Sequence, residues 1–147
     1  MRQKKFLLVD DDPDDCFLFQ EVLSDLSPAV HLDIASDGQE ALERLKKMEV
    51  LPDIIFLDLN MPRMDGKQCL FELKRNPQYR NVPVFIYTTS SHSKDIEEAI
   101  QSGAACFITK PASIHELRQM LSIIMQNLND MKRMLHLLSG LSVYIIC

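Results

Sequence analysis

Short apolar blocks alternate with stretches in which apolar residues recur every third or fourth position, along the whole chain. Phe6, Leu7, Leu8 and Val9 form the first block. Four consecutive apolar residues between charged flanks predict a strand. Asp12-Pro13 then joins a capping side chain to a proline suited to the first helical position. Phe19, Val22, Leu23 and Leu26 follow at helical spacing, and Pro28 stops the run. The pattern then repeats. "VHLDIA" alternates as a second strand, and Asp37-Gly38 opens a helix with Ala41, Leu42, Leu45 and Met48 on one face. "DIIFLD" is a third strand, followed by a helix over about 66–75 with Cys69, Leu70 and Leu73 inward. "VPVFIYTT" is a fourth strand, and "SKDIEEAIQSG" a helix closed by Gly103. "ACFIT" is a fifth, and Pro111 leads into the last helix.

Strands and helices in this order predict the α/β class: a doubly wound, five-stranded parallel sheet, helices on both faces, right-handed crossovers. A chain of 147 residues is sufficient for one domain with a sizeable core. We expect that domain over residues 1–126 and a C-terminal extension over 127–147, helical to about 139. The extension carries its own pattern. From Ile114 the apolar positions continue through Leu117, Leu121, Ile124, Leu128, Met131, Leu135 and Leu138, in steps of 3 and 4. One helix over about 113–139 would be roughly 40 Å long, against strands of about 17–20 Å. The second half of the stripe would overhang the sheet. It is expected to bury Leu128, Met131, Leu135 and Leu138 against a second copy in a symmetric homodimer. The competing expectations are a break near Gly140 or earlier that folds the tail back, and a connector to a further domain.

Composition narrows the function classes. A 46% hydrophobic and 25% charged chain is an ordinary soluble globular sequence, and a net charge of -5 argues against a broad nucleic-acid footprint. The apolar run after the first basic residues is too short for a signal peptide, and no segment reaches membrane-spanning length. Cys16, Cys69, Cys106 and Cys147 have no metal-like spacing. We expect reduced thiols, three of them core fillers, and a cytoplasmic protein. His31, His92, His115 and His136 share no ligand spacing either.

The chemistry gathers at strand ends, where ligands collect in such folds. The first strand ends in Asp10-Asp11-Asp12, the third in Asp58, the fourth in Thr88-Thr89-Ser90 and the fifth in Thr109-Lys110-Pro111. A carboxylate such as Asp58, directly after four apolar residues, is costly unless partnered or employed. Two or three carboxylates at close range repel one another and favour a divalent cation, and all-oxygen ligation suits Mg²⁺. A carboxylate there can act as nucleophile toward phosphorus, with the metal neutralising developing charge, Lys110 contacting another phosphoryl oxygen and Thr88 hydrogen-bonding a third. Asp12, Asp14 and Asp15 also fit a simpler role as helix-start acids.

"LLVDDD", "FLDLNMPRMDG", "YTTS" and "FITKP", in this order, resemble the receiver (CheY-like) domain of two-component response regulators, over about residues 4–125. The resemblance implies a flavodoxin-like fold with strand order 2-1-3-4-5 and a single-domain signalling protein rather than an enzyme. By position, Asp58 is the phosphoacceptor, and Asp10, Asp11, Asp58 and the backbone carbonyl of Asn60 form the Mg²⁺ site. Thr88 is the switch hydroxyl, 22 residues before Lys110. Phe107 holds the aromatic switch position, where tyrosine is commoner, and Ser90 a position that tunes dephosphorylation. Lys110-Pro111 is implied to be cis. The implied partners are a sensor histidine kinase or phosphotransfer protein and a downstream protein, not nucleic acid or membrane. The helix 4, strand 5, helix 5 face is implied to present the signal.

Three alternatives compete. A haloacid-dehalogenase-like phosphatase also uses a strand-end aspartate, but wants an acid two residues on, where this chain has Asn60. A flavodoxin-type FMN protein needs a phosphate cradle where "DDDPDD" stands. A phosphorylation-independent binding module would not need the acid set.

Overall fold

The computed structural model describes residues 3–147. The strands are β1 (Lys5–Val9), β2 (His31–Ala35), β3 (Ile54–Leu57), β4 (Val84–Thr88) and β5 (Cys106–Thr109), with a short β6 (Ile145–Ile146). The helices are α1 (Pro13–Leu26), α2 (Gly38–Lys47), α3 (Gly66–Arg75), α4 (Ser93–Gln101), α5 (Ile114–Gln126) and α6 (Met131–Leu141). The sheet order is β2-β1-β3-β4-β5-β6. The first five strands are parallel, in the expected order; β6 is antiparallel to β5.

Alternation along β1 divides the core in two. Phe6 and Leu8 face α1, α5 and α6, whereas Leu7 and Val9 face α2, α3 and α4. Phe6, Phe19, Phe56, Phe85 and Tyr87 meet edge to face on the first side, with centroids 5.0–6.5 Å apart. This is the favoured geometry for rings with opposed face and edge charge. Caps fix where the helices start. Asp12 accepts from the backbone N–H groups of Asp14 and Asp15, Asp37 from Glu40, Asp65 from Gln68 and Ser113 from Glu116.

The tail departs from the single long helix. α5 ends at Gln126, and Asn127 caps it with its backbone N–H on Ile124 O. Asp130 starts α6 by accepting from Arg133 N. The break lets α6 fold back onto α5 and the first core. Met134 and Leu138 are fully buried there, and Leu128, Met131 and Leu135 pack against the same cluster. Of the residues expected to join two copies, Leu138 is fully buried within the chain, and Leu128, Met131 and Leu135 are partly buried there. Ile145 and Ile146 then pair with Ile108 and Phe107, giving the sheet a sixth strand that apolar spacing did not predict.

Two further expectations are corrected. Cys106 and Cys147 are joined as a disulfide, because β6 lies beside β5; Cys16 and Cys69 are buried free thiols. No peptide bond among the described residues is cis, so Lys110-Pro111 is trans, the intrinsically favoured isomer by about 0.5–1 kcal/mol.

Candidate functional site

Hydrogen bonding along the sheet brings the ends of β1, β3, β4 and β5 to one edge. Val9 pairs with Leu57, so Asp10 and Asp58 emerge side by side, and Asp58 N donates to Val9 O at 2.9 Å. One carboxylate oxygen each from Asp10, Asp11 and Asp58 lies within 4.8 Å of the others. Asp10 and Asp58 are buried and Asp11 is exposed, so the cluster has a wet side and a dry side. Three mutually repelling carboxylates whose oxygens can share one centre fit a hard divalent cation.

The loop after β3 is folded tightly over Asp58. Gly66 N donates to Leu59 O at 2.9 Å, and a Cβ on Gly66 would lie 2.0 Å from Asp58 O. Glycine is required there by close backbone approach rather than by dihedral freedom. Arg63, in the same loop, has φ 60° and donates to Asp37 Oδ2 at 2.7 Å, tying the loop to the start of α2. Asn60 lies exposed in this loop.

Lys110 supplies the site's cation. Its backbone N–H donates to Thr88 O at 2.7 Å, anchoring the end of β5 to β4. Its Nζ lies 2.7 Å from Asp15 Oδ2, 2.8 Å from Asp10 Oδ2 and 3.6 Å from Asp58 Oδ2. One ammonium thus serves three carboxylates, and the two partners respond differently. Burial pushes the Asp10 carboxyl up to about 6, more than Lys110 and the Asp12 backbone N–H can offset. Burial alone would pull Lys110 down, but the Asp10 and Asp15 carboxylates beside it outweigh this and hold it above the ordinary lysine value.

Thr88 is fully buried at the end of β4, and its Oγ1 has no hydrogen-bond partner among the described residues. An unpaired buried hydroxyl costs about 1–3 kcal/mol, a cost that a group bound at this edge would remove. Ser90 turns away from that role. Its hydroxyl donates to Asp95 Oδ2 at 2.5 Å, and its carbonyl accepts from Thr109 Oγ1 at 3.1 Å. Lys67 on α3 holds Asp95 and Glu98 at 2.8 Å each. Lys67 and then Ser90 keep the Asp95 carboxyl below its usual range. Phe107 is fully buried in the second core cluster, among side chains rather than at the acidic edge.

The structure therefore brings together Asp10, Asp11, Asp58 and Lys110, with Thr88 on the neighbouring strand end. Sequence spacing missed Asp15 as a lysine partner and the Lys67–Asp95–Ser90 chain. An acid at the third position of a helix looks alike whether it serves the helix dipole or a distant ammonium.

Residues 6–122 match the family model described as the response regulator receiver domain. Response regulator Rcp1 of Synechocystis sp. is 34% identical over 80% of this chain and 83% of its own length. The probable methanogenesis regulatory protein FilR2 of Methanothrix harundinacea is 30% identical over 77% of this chain and 76% of its own. Among solved structures, the phosphorylated cyanobacterial phytochrome response regulator RcpA superposes with a TM-score of 0.80 at 32% identity, covering 88% of this chain and 96% of that one. The Mn²⁺-bound form of Rcp1 gives a TM-score of 0.75 at 34% identity, covering 84% of this chain and 92% of that one. Receiver domains bind a divalent metal and interact with histidine kinases or phosphotransfer proteins. With its strand order, acid cluster and matched residues in agreement, this chain belongs to the response regulator receiver family and is a phosphoacceptor signalling domain.

Proposed function

We propose that Asp58 accepts a phosphoryl group from a phosphohistidine on a sensor histidine kinase or phosphotransfer protein. The orphaned Thr88 hydroxyl carries this reading most directly: it is a buried donor without a partner, at the end of β4, whose neighbouring strands β3 and β5 run into Asp58 and Lys110. An Asp58 carboxylate oxygen attacks phosphorus and an acyl phosphate P–O bond forms. The P–N bond to the donor imidazole breaks and its electron pair returns to the ring nitrogen; a ring already protonated at its other nitrogen leaves as neutral imidazole, and an unprotonated ring leaves as imidazolate that takes a proton from water. The Lys110 ammonium and the Thr88 hydroxyl bind two phosphoryl oxygens as charge moves onto them. Asp10, Asp11, Asp58 and the Asn60 carbonyl are the residues that would hold Mg²⁺, which when bound neutralises negative charge on the transferring group. The domain thus contributes catalysis to its own phosphorylation, and hydrolysis of the acyl phosphate returns Asp58.

Phosphorylation gives Thr88 and Lys110 new contacts and biases two conformations of the β4–α4 loop and the α4, β5, α5 face. In this reading Phe107 is the aromatic residue that moves with Thr88, and a downstream protein reads the outcome. A donor charged from ATP puts the reaction in the cytoplasm. Incubation with Mg²⁺ and acetyl phosphate should add about 80 Da at Asp58. Equal labelling of an Asp58→Ala protein, or undiminished labelling in excess EDTA, would overturn the proposal.

A further inference from the structure

The Lys110 ammonium has three N–H groups to place, and the two close oxygens around it belong to Asp10 and Asp15, not to Asp58. Asp15 Oδ2 lies 2.7 Å away and Asp10 Oδ2 2.8 Å, within ordinary charge-assisted hydrogen-bond range. Asp58 Oδ2, at 3.6 Å, lies beyond it. The lysine side chain is only 9% exposed, so it has few other places to go. Asp15 is in the first turn of α1, ninety-five residues from Lys110 along the chain. Its backbone N–H is already held by the Asp12 cap at 3.3 Å. The helix start therefore does not need the Asp15 side chain, which reaches across to the end of β5 instead.

Resting on the phosphoacceptor reading of Asp58, we propose that Asp15 is a positioning residue that holds Lys110 back from Asp58 and competes with the phosphoryl group for its ammonium. In the resting protein, the ammonium is shared between α1 and β1. When phosphoryl oxygens arrive on Asp58, Lys110 must give up part of its contact with Asp15 to reach them. Asp15 thereby weakens retention of the phosphoryl group and couples the start of α1 to the phosphorylation state. Asp14 offers a charge-matched comparison. It is one residue away, also acidic and exposed, and it is not among the three carboxylates that pair with Lys110.

The test is beryllofluoride affinity at saturating Mg²⁺, by titration calorimetry and ¹⁹F NMR, for the full chain and for Asp15→Asn, Asp15→Glu and Asp14→Asn. Asp15→Asn should bind at least about threefold more tightly, the scale of a partly exposed ion pair. Asp15→Glu, which keeps the carboxylate, should restore most of the wild-type affinity, and Asp14→Asn should leave it unchanged. Equal tightening by Asp14→Asn would reduce the effect to net charge and overturn the inference, as would unchanged or weaker binding by Asp15→Asn. A wild-type chain that binds no beryllofluoride would instead refute the reading of Asp58, so the two failures are distinguishable.

Discussion

Replacing Asp10 by asparagine should make the metal-free protein more stable while destroying its chemistry. Asp10 is 2% exposed, and its carboxyl is pushed from 3.8 to about 6, with burial the leading cause. The folded state thus holds the Asp10 proton more tightly than the unfolded state. Between those two values the unfolded chain binds fewer protons, so stability falls as pH rises through the window and stays lowered above it. A shift of about two units, at about 1.4 kcal/mol each, sets this cost at about 3 kcal/mol near neutrality. Asparagine removes the buried charge and can still accept from Asp12 N, which Asp10 Oδ1 does at 3.0 Å. It also sets an amide N–H against Lys110 Nζ, where Asp10 Oδ2 now lies at 2.8 Å. Lys110 keeps Asp15 and Asp58 as partners, which limits that loss.

The expected net gain is about 1–2 kcal/mol, or about 2–8 °C in Tm for a chain of this size. Urea and thermal unfolding in EDTA at about pH 7.5 and about pH 4.5 measure it. The gap between variant and wild type should be open at the higher pH and nearly closed at the lower, where Asp10 is mostly protonated. Mg²⁺ should raise the Tm of the wild type and leave that of the variant unchanged. A variant less stable than wild type in EDTA at the higher pH, or a gap that widens on acidification, would refute the reasoning.

Asp11→Ala should weaken Mg²⁺ binding at least about tenfold and abolish labelling by acetyl phosphate while leaving the circular dichroism spectrum unchanged, since Asp11 is exposed and supports no core. Gly66→Ala should cost at least about 3 kcal/mol in urea unfolding, because its Cβ would lie 2.0 Å from Asp58 O and neither backbone segment can move without shifting the site. Cys147→Ser should cost up to about 4 kcal/mol under oxidising conditions, from the 41-residue separation that the disulfide closes, and nothing in excess dithiothreitol; an equal loss in both conditions would point to packing instead.

The parallel sheet was legible because four of its strands are apolar blocks and β2 alternates, each followed by capping or turn chemistry. Asp12-Pro13, Asp37-Gly38 and Gly103 mark boundaries that the structure places at or beside helix ends. The acid cluster was legible because chain order and strand direction together send Asp10, Asp11 and Asp58 to one edge. The rest was hidden for identifiable reasons. Asp15 is chemically indistinguishable from a dipole-serving acid until the end of β5 is placed beside it. The link from Ser90 to Asp95 and Lys67 joins three elements whose spacing in sequence carries no period. The Cys106–Cys147 pairing depends on β6, a two-residue strand too short to register as alternation.

The tail misled for a more instructive reason. A stripe in steps of three and four specifies which residues want burial, but not that one helix carries them. Asn127, Asn129 and Asp130 interrupt it with residues that compete for backbone hydrogen bonds and favour caps. Once Asp130 caps a new helix, the apolar face can rotate. Met134, absent from the stripe, becomes fully buried, while Ile114, which begins it, is 55% exposed. An overhanging helix would have left Leu128, Met131, Leu135 and Leu138 in need of a second chain. The fold-back buries Leu138 and partly buries the other three internally, and β6 then covers the outer edge of β5 that a five-stranded sheet would leave open. The covered strand is also the one that carries Phe107 and runs directly into Lys110. A partner that reads phosphorylation from the α4, β5, α5 face therefore meets this chain's own segment at the β5 edge, and must read around it or displace it.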